Sequence, residues 1–361
     1  MTEVLSTTDV NFLISDRYKI VSVLGKGSYG LVCSAIDTVS AKNSSYDGAQ
    51  IAIKKVNSIF KKPVLMKRAI RELKLMIHFR GHPNIISLVD LDVVYNQPYD
   101  GLYCFQELCQ YDLASVIYSE SQFSEFHIQS FVYQLLCGLK YIHSADVIHR
   151  DLKPGNILVT AEGALKICDF GLARGISSKY RKISGVPITN YVATRWYRAP
   201  ELMLSIGKYD KPIDLWAVGC ILAELYGREP LFKGKDQVLQ LTEIIKVLGS
   251  PPYRLVRSLR WQLNVLEVNF QPIPFGKIYP IASSLAVDIL EGFLKWDPNQ
   301  RLNVVQALNH SFFTGIRQEE CEANCASIFD FSFESECEDF DSLKTRLDWE
   351  VRAFKTIRGR N

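Results

Sequence analysis

The chain has 361 residues, of which 47% are hydrophobic and 22% are charged, and its formal net charge is +3. This length predicts two domains or lobes, since one domain typically has about 100–200 residues. The small net charge does not favour a nucleic-acid partner, and the apolar runs are shorter than the roughly 18 residues of a membrane span. The first residues, "MTEVLSTTDV", lack the pattern of a signal peptide.

In chain order, residues 18–108 show mostly the alternation typical of strands. One helix is predicted among them, "VLMKRAIRELKLMIHF" (Val64–Phe79), with apolar residues at i, i+3 and i+4. After Cys109 the pattern becomes helical in "FHIQSFVYQLLCGLKYIHSA", "PIDLWAVGCILAELYG" and "DQVLQLTEIIKVLG". A strand-rich part followed by a helical part predicts an α+β fold.

A glycine-rich stretch, "GKGSYG", contains Gly25, Gly27 and Gly30 between two predicted strands. A dinucleotide-binding fingerprint should open a helix instead, so the context argues against a Rossmann site. Two interpretations remain, a plain hairpin turn and a loop whose backbone amides approach phosphates.

Lys54 lies within "IAIKKV", among apolar neighbours of a predicted strand. Such a lysine is ordinarily a solvent-facing residue of the alternation unless a carboxylate pairs with it. Glu72, in "IRELK" on the predicted helix, is a candidate partner.

Charged residues crowd the loop "VIHRDLKPGNILV", which includes Asp151, Lys153 and Asn156. Asp169, in "CDFG", follows thirteen residues after Asn156. Mg²⁺ prefers oxygen ligands together with substrate phosphates, so Asn156 and Asp169 are a candidate metal pair. Asp151 could then deprotonate a hydroxyl while Lys153 neutralises a transferring phosphoryl group. The alternative is a surface loop bonded to itself.

Together, "GKGSYGLV", "IAIK", "HRDLKPGN", "DFG" and "RAPE" resemble the protein-kinase signature set over about residues 18–313. The resemblance implies the bilobal eukaryotic protein-kinase fold, with an N-lobe of about 18–108, a C-lobe of about 109–313, and ATP and Mg²⁺ as cofactors. The implied nucleotide-binding residues are Leu24, Gly25, Lys26, Gly27, Ser28, Tyr29, Gly30, Leu31, Val32, Lys54, Glu72, Gln106, Glu107, Cys109 and Asp112.

The resemblance also assigns roles. Lys54 holds the α- and β-phosphates and pairs with Glu72, and the backbone of Glu107 and Cys109 contacts adenine beside Gln106. Asp151 is the catalytic base, Lys153 contacts the γ-phosphate, and Asn156 and Asp169 bind Mg²⁺. Glu201 and Arg301 match a buried ion pair, and Asp214 matches an aspartate that braces the catalytic loop.

Thr189 and Tyr191, in "ITNYVATRWYRAPE", are one residue apart. This pair is similar to the T-x-Y pair of mitogen-activated protein (MAP) kinases, which a dual-specificity kinase phosphorylates. The insert starting "GREPLFKGKDQ" and the tail "FDFSFE…LKTRLDWEV" also match, and the chain looks closest to ERK-like fungal cell-integrity MAP kinases. It departs at Asn190, where Glu is usual, at Ser311, where Pro is common, and in a longer loop before "IAIK".

The MAP kinase resemblance implies a serine/threonine kinase that prefers a proline after the target residue and acts in stress or cell-wall signalling. Arg195 and Arg198 would clamp phosphorylated Tyr191 and shape the proline pocket. Three further arginines, Arg71, Arg150 and Arg174, would converge on phosphorylated Thr189. The alternative is that these arginines are ordinary surface cations.

Residues 314–361 form a predicted C-terminal extension that packs back on the kinase domain. Between Gln318 and Leu343 it carries nine acidic residues and no Lys or Arg. Glu319 and Glu322 occupy the place of an acidic docking patch, which binds upstream kinases, substrates and phosphatases in MAP kinases. A solvated surface is the alternative interpretation. No nucleic-acid or membrane partner is expected.

The motifs do not favour two other functions. A pseudokinase would lack a catalytic position, and none is missing; a cyclin-dependent kinase would carry a cyclin-binding helix motif, where this chain has "RAIRELK". Cys168 is either a reactive thiol or a small core residue. Nine cysteines without CxxC or zinc spacing predict reduced thiols in a cytoplasmic protein, with nuclear entry left open.

Overall fold

The computed structural model describes residues 11–27, 30–41, 49–176, 195–204, 209–258, 269–337 and 339–358. The chain divides into two compact units, Met1–Gln110 with Phe331–Asn361, and Tyr111–Asp330. The predicted lobe bounds and the predicted C-terminal extension stay predictions. Of residues 314–361, residues 314–330 belong to the second unit and residues 331–361 to the first.

Strands dominate the described residues between 18 and 108, as predicted. They are β1 (Tyr18–Gly27), β2 (Gly30–Asp37), β3 (Ala49–Val56), β4 (Leu88–Val94) and β5 (Gly101–Glu107). The second unit contains the short strands β6 (Tyr111–Asp112), β7 (Val147–Ile148), β8 (Ile157–Val159), β9 (Leu165–Ile167) and β10 (Arg174–Gly175).

The five strands of the first unit form one antiparallel sheet in the order β1-β2-β3-β5-β4. Lys54 of β3 lies opposite Val32 of β2 and Cys104 of β5. Ile53, the next residue along β3, is fully buried in the core of this unit. Because successive side chains of a strand point to opposite faces, Lys54 projects from the face opposite Ile53.

The α-helices of the first unit are α1 (Thr38–Ala41), α2 (Pro63–His78), α12 (Phe333–Glu336) and α13 (Phe340–Arg358). Those of the second unit are α3 (Leu113–Ile117), α4 (Glu125–Ser144), α5 (Pro200–Leu204), α6 (Pro212–Gly227), α7 (Gln237–Leu248), α8 (Tyr253–Ser258), α9 (Phe275–Ile278), α10 (Ser284–Phe293) and α11 (Val304–Leu308). No helix in the described ranges is long and apolar enough to cross a membrane. The predicted α+β class is confirmed.

Helix α6 forms the core of the second unit. It starts with a proline at its first turn, where the missing N–H costs nothing, and every residue from Ile213 to Tyr226 is buried. Asp214 and Glu224 are therefore carboxylates inside an otherwise apolar helix, and such groups need hydrogen-bond donors. Their donors, described below, come from the residues around the active site.

Candidate active site

The glycine-rich stretch joins two paired antiparallel strands, β1 and β2. Gly25 lies opposite Val32, and Gly27 lies opposite Gly30, at the end of the β1–β2 pair. A Cβ atom at Gly30 would come within 1.8 Å of the carbonyl oxygen of Lys55, so only glycine fits there. The stretch does not open a helix, which excludes the geometry of a dinucleotide fingerprint. Ser28 and Tyr29 lie outside the described residues.

Lys54 and Glu72 form an ion pair within the first unit. The Lys54 Nζ lies 2.6 Å from Glu72 Oε1, and the lysine side chain is 21% exposed. Glu72 is on α2 and is buried. The pairing that the sequence predicts is therefore present, and Lys54 is more than a solvent-facing residue of the strand.

At the end of β5, Gln106 and Glu107 have internal partners. The Gln106 amide nitrogen donates to Met76 Sδ at 3.1 Å. The Glu107 carboxylate accepts a hydrogen bond from the Ser87 amide at 2.7 Å, and the Glu107 amide donates to the Ser87 carbonyl at 3.2 Å. The contact of the Glu107 backbone with adenine stays a prediction.

Asp112, predicted to contact the nucleotide, begins α3 in the second unit. Its side chain accepts a hydrogen bond from the Ser115 amide at 2.6 Å and caps the helix. This bond satisfies one of the free N–H groups at the helix start. The structure therefore gives Asp112 a structural bond in addition to its predicted role.

Asp151, Lys153 and Asn156 are brought together by the catalytic loop. Asp151 Oδ2 accepts hydrogen bonds from Lys153 Nζ and from Asn156 Nδ2, both at 2.9 Å. Asn156 Nδ2 also donates to the Asp151 carbonyl at 2.8 Å. Both bonds use the amide nitrogen of Asn156 and not its amide oxygen. The loop is bonded to itself, yet these bonds also fix one carboxylate next to one ammonium group.

Asn156 and Asp169 lie near one another in the backbone. The Cys168 amide donates to the Asn156 carbonyl at 3.0 Å, and Asp169 follows directly. Asp169 has φ 63° and ψ 71°, a left-handed conformation that costs a non-glycine residue about 1–3 kcal/mol. An amide oxygen and a carboxylate are hard donors that suit Mg²⁺. The described residues contain no cluster of three or more His, Cys, Asp or Glu side chains for a metal.

Cys168 is half-buried, and its thiol donates to the Asn156 carbonyl at 3.3 Å. The thiol therefore adds a second hydrogen bond between Cys168 and Asn156, next to the candidate metal ligand Asp169. This placement leaves both interpretations of Cys168 open.

Asp214 braces the catalytic loop, as predicted. Its carboxylate accepts hydrogen bonds at 2.9 Å from the His143 ring, the His149 amide and the Arg150 amide. Burial alone would raise the pKa of Asp214, but the bonds and charges of these donors outweigh it and hold the pKa below its usual value. Arg150 has φ 70°, so Asp214 secures a strained residue directly before Asp151.

Glu201 and Arg301 form the predicted buried ion pair. Arg301 Nη1 and Nη2 donate to the two carboxylate oxygens of Glu201 at 2.6 and 2.8 Å. The arginine side chain is 0% exposed and also lies over the Trp216 ring, 4.9 Å from its centroid. This bidentate geometry ties α5 to the residues that follow α10.

The sequence interpretation missed the role of Glu224. Its carboxylate is fully buried and accepts hydrogen bonds from the Tyr118 and Tyr197 hydroxyls, both at 2.6 Å. Burial raises the pKa of Glu224, and the tyrosine bonds oppose that shift. The available signal was an acidic residue inside the apolar run "GCILAELYG". The bond to Tyr197 fixes the backbone between Arg195 and Arg198.

Arg198 lines the same pocket as Asp151, the predicted catalytic base. Burial lowers the pKa of the Arg198 guanidinium, and the charge of Asp151 acts in the opposite direction. The Arg198 amide also donates to the Arg195 carbonyl at 3.0 Å, which closes a turn. Both arginines thus lie in one segment of the second unit. Thr189 and Tyr191 lie outside the described residues.

The other three predicted phosphate ligands have internal contacts. In the second unit, the Arg150 guanidinium lies 4.8 Å from the centroid of the Tyr209 ring, and Arg174 Nη1 donates to the Ala173 carbonyl at 2.8 Å. In the first unit, Arg71 is only 3% exposed and pairs with a carboxylate of the C-terminal segment. Arg71 is therefore not an ordinary surface cation.

The two predicted docking carboxylates differ in exposure. The Glu319 side chain is 80% exposed, whereas that of Glu322 is 5% exposed. Glu322 accepts hydrogen bonds from Arg317 Nε at 2.7 Å and from the Tyr133 hydroxyl at 3.2 Å. The expectation that both carboxylates face a partner needs correction, because the structure already pairs Glu322 internally.

Comparisons with known proteins agree with this geometry. The family described as the protein kinase domain matches residues 18–313. The sporulation-specific MAP kinase SMK1 of Saccharomyces cerevisiae is 54% identical over 353 residues, covering 95% of this chain and 90% of that protein. SLT2/MPK1 of the same yeast is 47% identical over 351 residues (96% and 71%), and spm1 of Schizosaccharomyces pombe is 48% identical over 346 residues (95% and 80%). The chain therefore belongs to the mitogen-activated protein kinases, a family of serine/threonine protein kinases.

Proposed function

We propose that this kinase transfers the γ-phosphate of ATP to serine or threonine residues that precede proline, within a MAP kinase cascade. The observation that carries the proposal is the ordered segment of Arg195 to Arg198 in the unit that holds Asp151. Asp151 and Arg198 line the same pocket, and the Tyr197 hydroxyl anchors the segment on buried Glu224.

Nucleotide binding is assigned to the residues that the motifs indicate. Lys54, held by Glu72, would neutralise the α- and β-phosphates, and the glycine-rich stretch would supply backbone amides. Asn156 and Asp169 would hold Mg²⁺, which supplies positive charge against the phosphates during transfer. The hard oxygen donors of these two residues support this cation.

The chemical step is assigned to the catalytic loop. Asp151 takes the proton of the attacking hydroxyl as the new oxygen–phosphorus bond forms and the bond to the departing ADP breaks. Lys153 neutralises the phosphoryl group in transit. Because Lys153 Nζ lies 2.9 Å from Asp151 Oδ2, one lysine can orient the base and meet the developing charge.

Activation is assigned to phosphorylation of Thr189 and Tyr191 by a dual-specificity upstream kinase. Each phosphate adds a charge of about −1.5 to −2, which clusters of arginines can bind. We assign Arg195 and Arg198 to phosphotyrosine, and Arg71, Arg150 and Arg174 to phosphothreonine. Asn190 between the two sites bears on which upstream kinase recognises them.

One assay tests substrate choice and activation together. The unmodified, Thr189-phosphorylated, Tyr191-phosphorylated and doubly phosphorylated proteins are compared on a Ser-Pro peptide and a matched Ser-Ala peptide. We expect high kcat/KM only for the doubly phosphorylated protein on the Ser-Pro peptide. Equal rates on the two peptides would remove the proline assignment, and full activity of unmodified protein would remove the activation assignment.

Docking of partners is assigned to the acidic patch around Glu319 and Glu322. Exposed carboxylates steer Lys- and Arg-rich peptides of activators, substrates or phosphatases, and the effect fades with salt. Arg317 lies 3.5 Å from Glu319 Oε1 and 2.7 Å from Glu322 Oε1, but only Glu319 is exposed, so Glu319 is the carboxylate that a partner can reach.

Charge reversal at the exposed position tests the docking assignment. Glu319→Lys should slow phosphorylation by the upstream kinase several-fold at low salt, since mutating an exposed charge mainly changes the association rate. Turnover of a short peptide without a docking sequence serves as the control and should stay unchanged. Loss in both assays would indicate damaged folding, and loss in neither would mean an ordinary solvated surface.

Two cellular processes are candidates for the signalling role of this kinase. Resemblance to fungal cell-integrity MAP kinases supports stress or cell-wall signalling. The 54% identity with a relative named sporulation-specific, against 47% with SLT2/MPK1, favours sporulation as the second candidate. Deleting the gene in its source organism separates them, because a defect confined to sporulating cells would exclude a general cell-wall role.

A further inference from the structure

One face of α2 is bound by residues near the C-terminus, all within the first unit. Arg71 Nε lies 2.5 Å from Glu334 Oε1, and Lys67 Nζ donates to the Glu334 carbonyl at 2.9 Å. Lys74 Nζ lies 2.7 Å from Glu350 Oε1 on α13. Residues 67, 71 and 74 follow i, i+4, i+7 spacing, so the three basic side chains share one side of the helix.

Glu334 is held firmly in this position. Its side chain is 11% exposed, and the preceding Phe333 is 1% exposed. Lys74 Nζ also lies 5.3 Å from the centroid of the Phe333 ring. A carboxylate fixed by a buried neighbour loses little further entropy when it pairs with Arg71, and low exposure limits screening by solvent.

Glu72 lies on a different side of α2 from Lys67, Arg71 and Lys74. Successive residues of an α-helix are separated by about 100° around its axis. Fixing the direction of Arg71 therefore fixes the direction of its neighbour Glu72, which lies 2.6 Å from Lys54. The structure shows the Arg71–Glu334 and Lys54–Glu72 pairs formed together.

We propose that Glu334 is a positioning residue for nucleotide binding. Its carboxylate holds Arg71 and so directs Glu72 toward Lys54 before any phosphate reaches α2. The inference rests on the proposed function, which assigns Lys54 to the nucleotide and Arg71 to phosphothreonine. A phosphate carries more charge than a carboxylate and can replace it on Arg71. The contribution of Glu334 is therefore largest in the unphosphorylated protein.

The test measures binding of magnesium and a non-hydrolysable ATP analogue by calorimetry, in unphosphorylated and doubly phosphorylated protein. Glu334→Gln should weaken binding about five- to tenfold in the unphosphorylated protein and less than twofold in the phosphorylated protein. Glu334→Asp keeps the charge on a shorter side chain and should be intermediate. Glu336→Gln is the matched control, since Glu336 is exposed on the same short helix, and it should bind like wild type.

The results of this test distinguish a failure of the positioning role of Glu334 from a failure of the proposed function. Wild-type affinity of Glu334→Gln in both forms, or an equal loss in both forms with a lower Tm, would overturn the positioning role. If Glu334→Gln does not fold, the same comparison is made with Glu334→Asp, for which a loss confined to unphosphorylated protein supports the role. Wild-type protein that fails to bind the analogue, or to phosphorylate the Ser-Pro peptide, would instead overturn the proposed function.

Discussion

Replacing Asp151 with asparagine is expected to lower kcat for peptide phosphorylation by about 10²–10⁴-fold, the usual contribution of a positioned general base. Asparagine cannot take the proton of the attacking hydroxyl. It retains an amide oxygen that can accept from Lys153 or Asn156, whose bonds to Asp151 are 2.9 Å long. The loss should therefore appear in turnover and not in folding.

The measurement is kcat and KM for a Ser-Pro peptide with doubly phosphorylated protein, together with ATP-analogue affinity and Tm. Asp288→Asn is the matched control, because the Asp288 side chain is 71% exposed and lies away from the catalytic loop in sequence. Near-normal turnover by a folded, ATP-binding Asp151→Asn protein would show that another group accepts the proton.

Helices and strands that are defined by a continuous stretch of sequence could be predicted from that stretch alone. Helix α6 was predicted at the observed bounds, because a proline at its start and a continuous apolar run define it. Within residues 18–108, the strand-like run "IISLVDLDVV" (residues 85–94) forms a strand only from Leu88 onward. Its first residues follow a turn in which the Ile85 amide donates to the His82 carbonyl, and that bond replaces a strand ladder.

Long-range pairings were less accessible to sequence reasoning. Lys54–Glu72 and Glu201–Arg301 could be expected because family motifs carry them, although 18 and 100 residues separate the partners. Arg71 and Glu334 are 263 residues apart, and neither position signals the other in the sequence. The acidic run likewise does not reveal that Glu322 is buried, since only the fold places Tyr133 beside it.

Replacing Asp214 with asparagine is the second substitution with a large expected effect. The carboxylate accepts three hydrogen bonds, from the His143 ring and from the amides of His149 and Arg150. Asparagine has one acceptor oxygen, and its NH₂ group would face a donor. Each buried donor left without a partner costs about 1–3 kcal/mol, so we expect a loss of roughly 2–5 kcal/mol at pH 7.

Activity should fall together with stability, because Arg150 is held in a left-handed conformation next to the catalytic Asp151. Without the bond from its amide, the loop is expected to relax away from that conformation. Thermal unfolding and peptide kcat are measured on the same samples. Asp288→Asn again serves as the control, since an exposed ion pair contributes at most about 1 kcal/mol.

The lowered pKa of Asp214 predicts in which direction its stabilisation of the fold changes with pH. Because the folded protein holds the pKa of Asp214 below its usual value, the ionised carboxylate stabilises the fold above the pKa of an unfolded aspartate, about 3.9. That stabilisation is lost as the pH falls through this value and then through the lower folded pKa. The Tm difference between wild type and Asp214→Asn should thus be full at pH 7 and shrink below about pH 4. A difference that grows on acidification, or no difference at pH 7, would contradict the role of Asp214 as a charged brace of the catalytic loop.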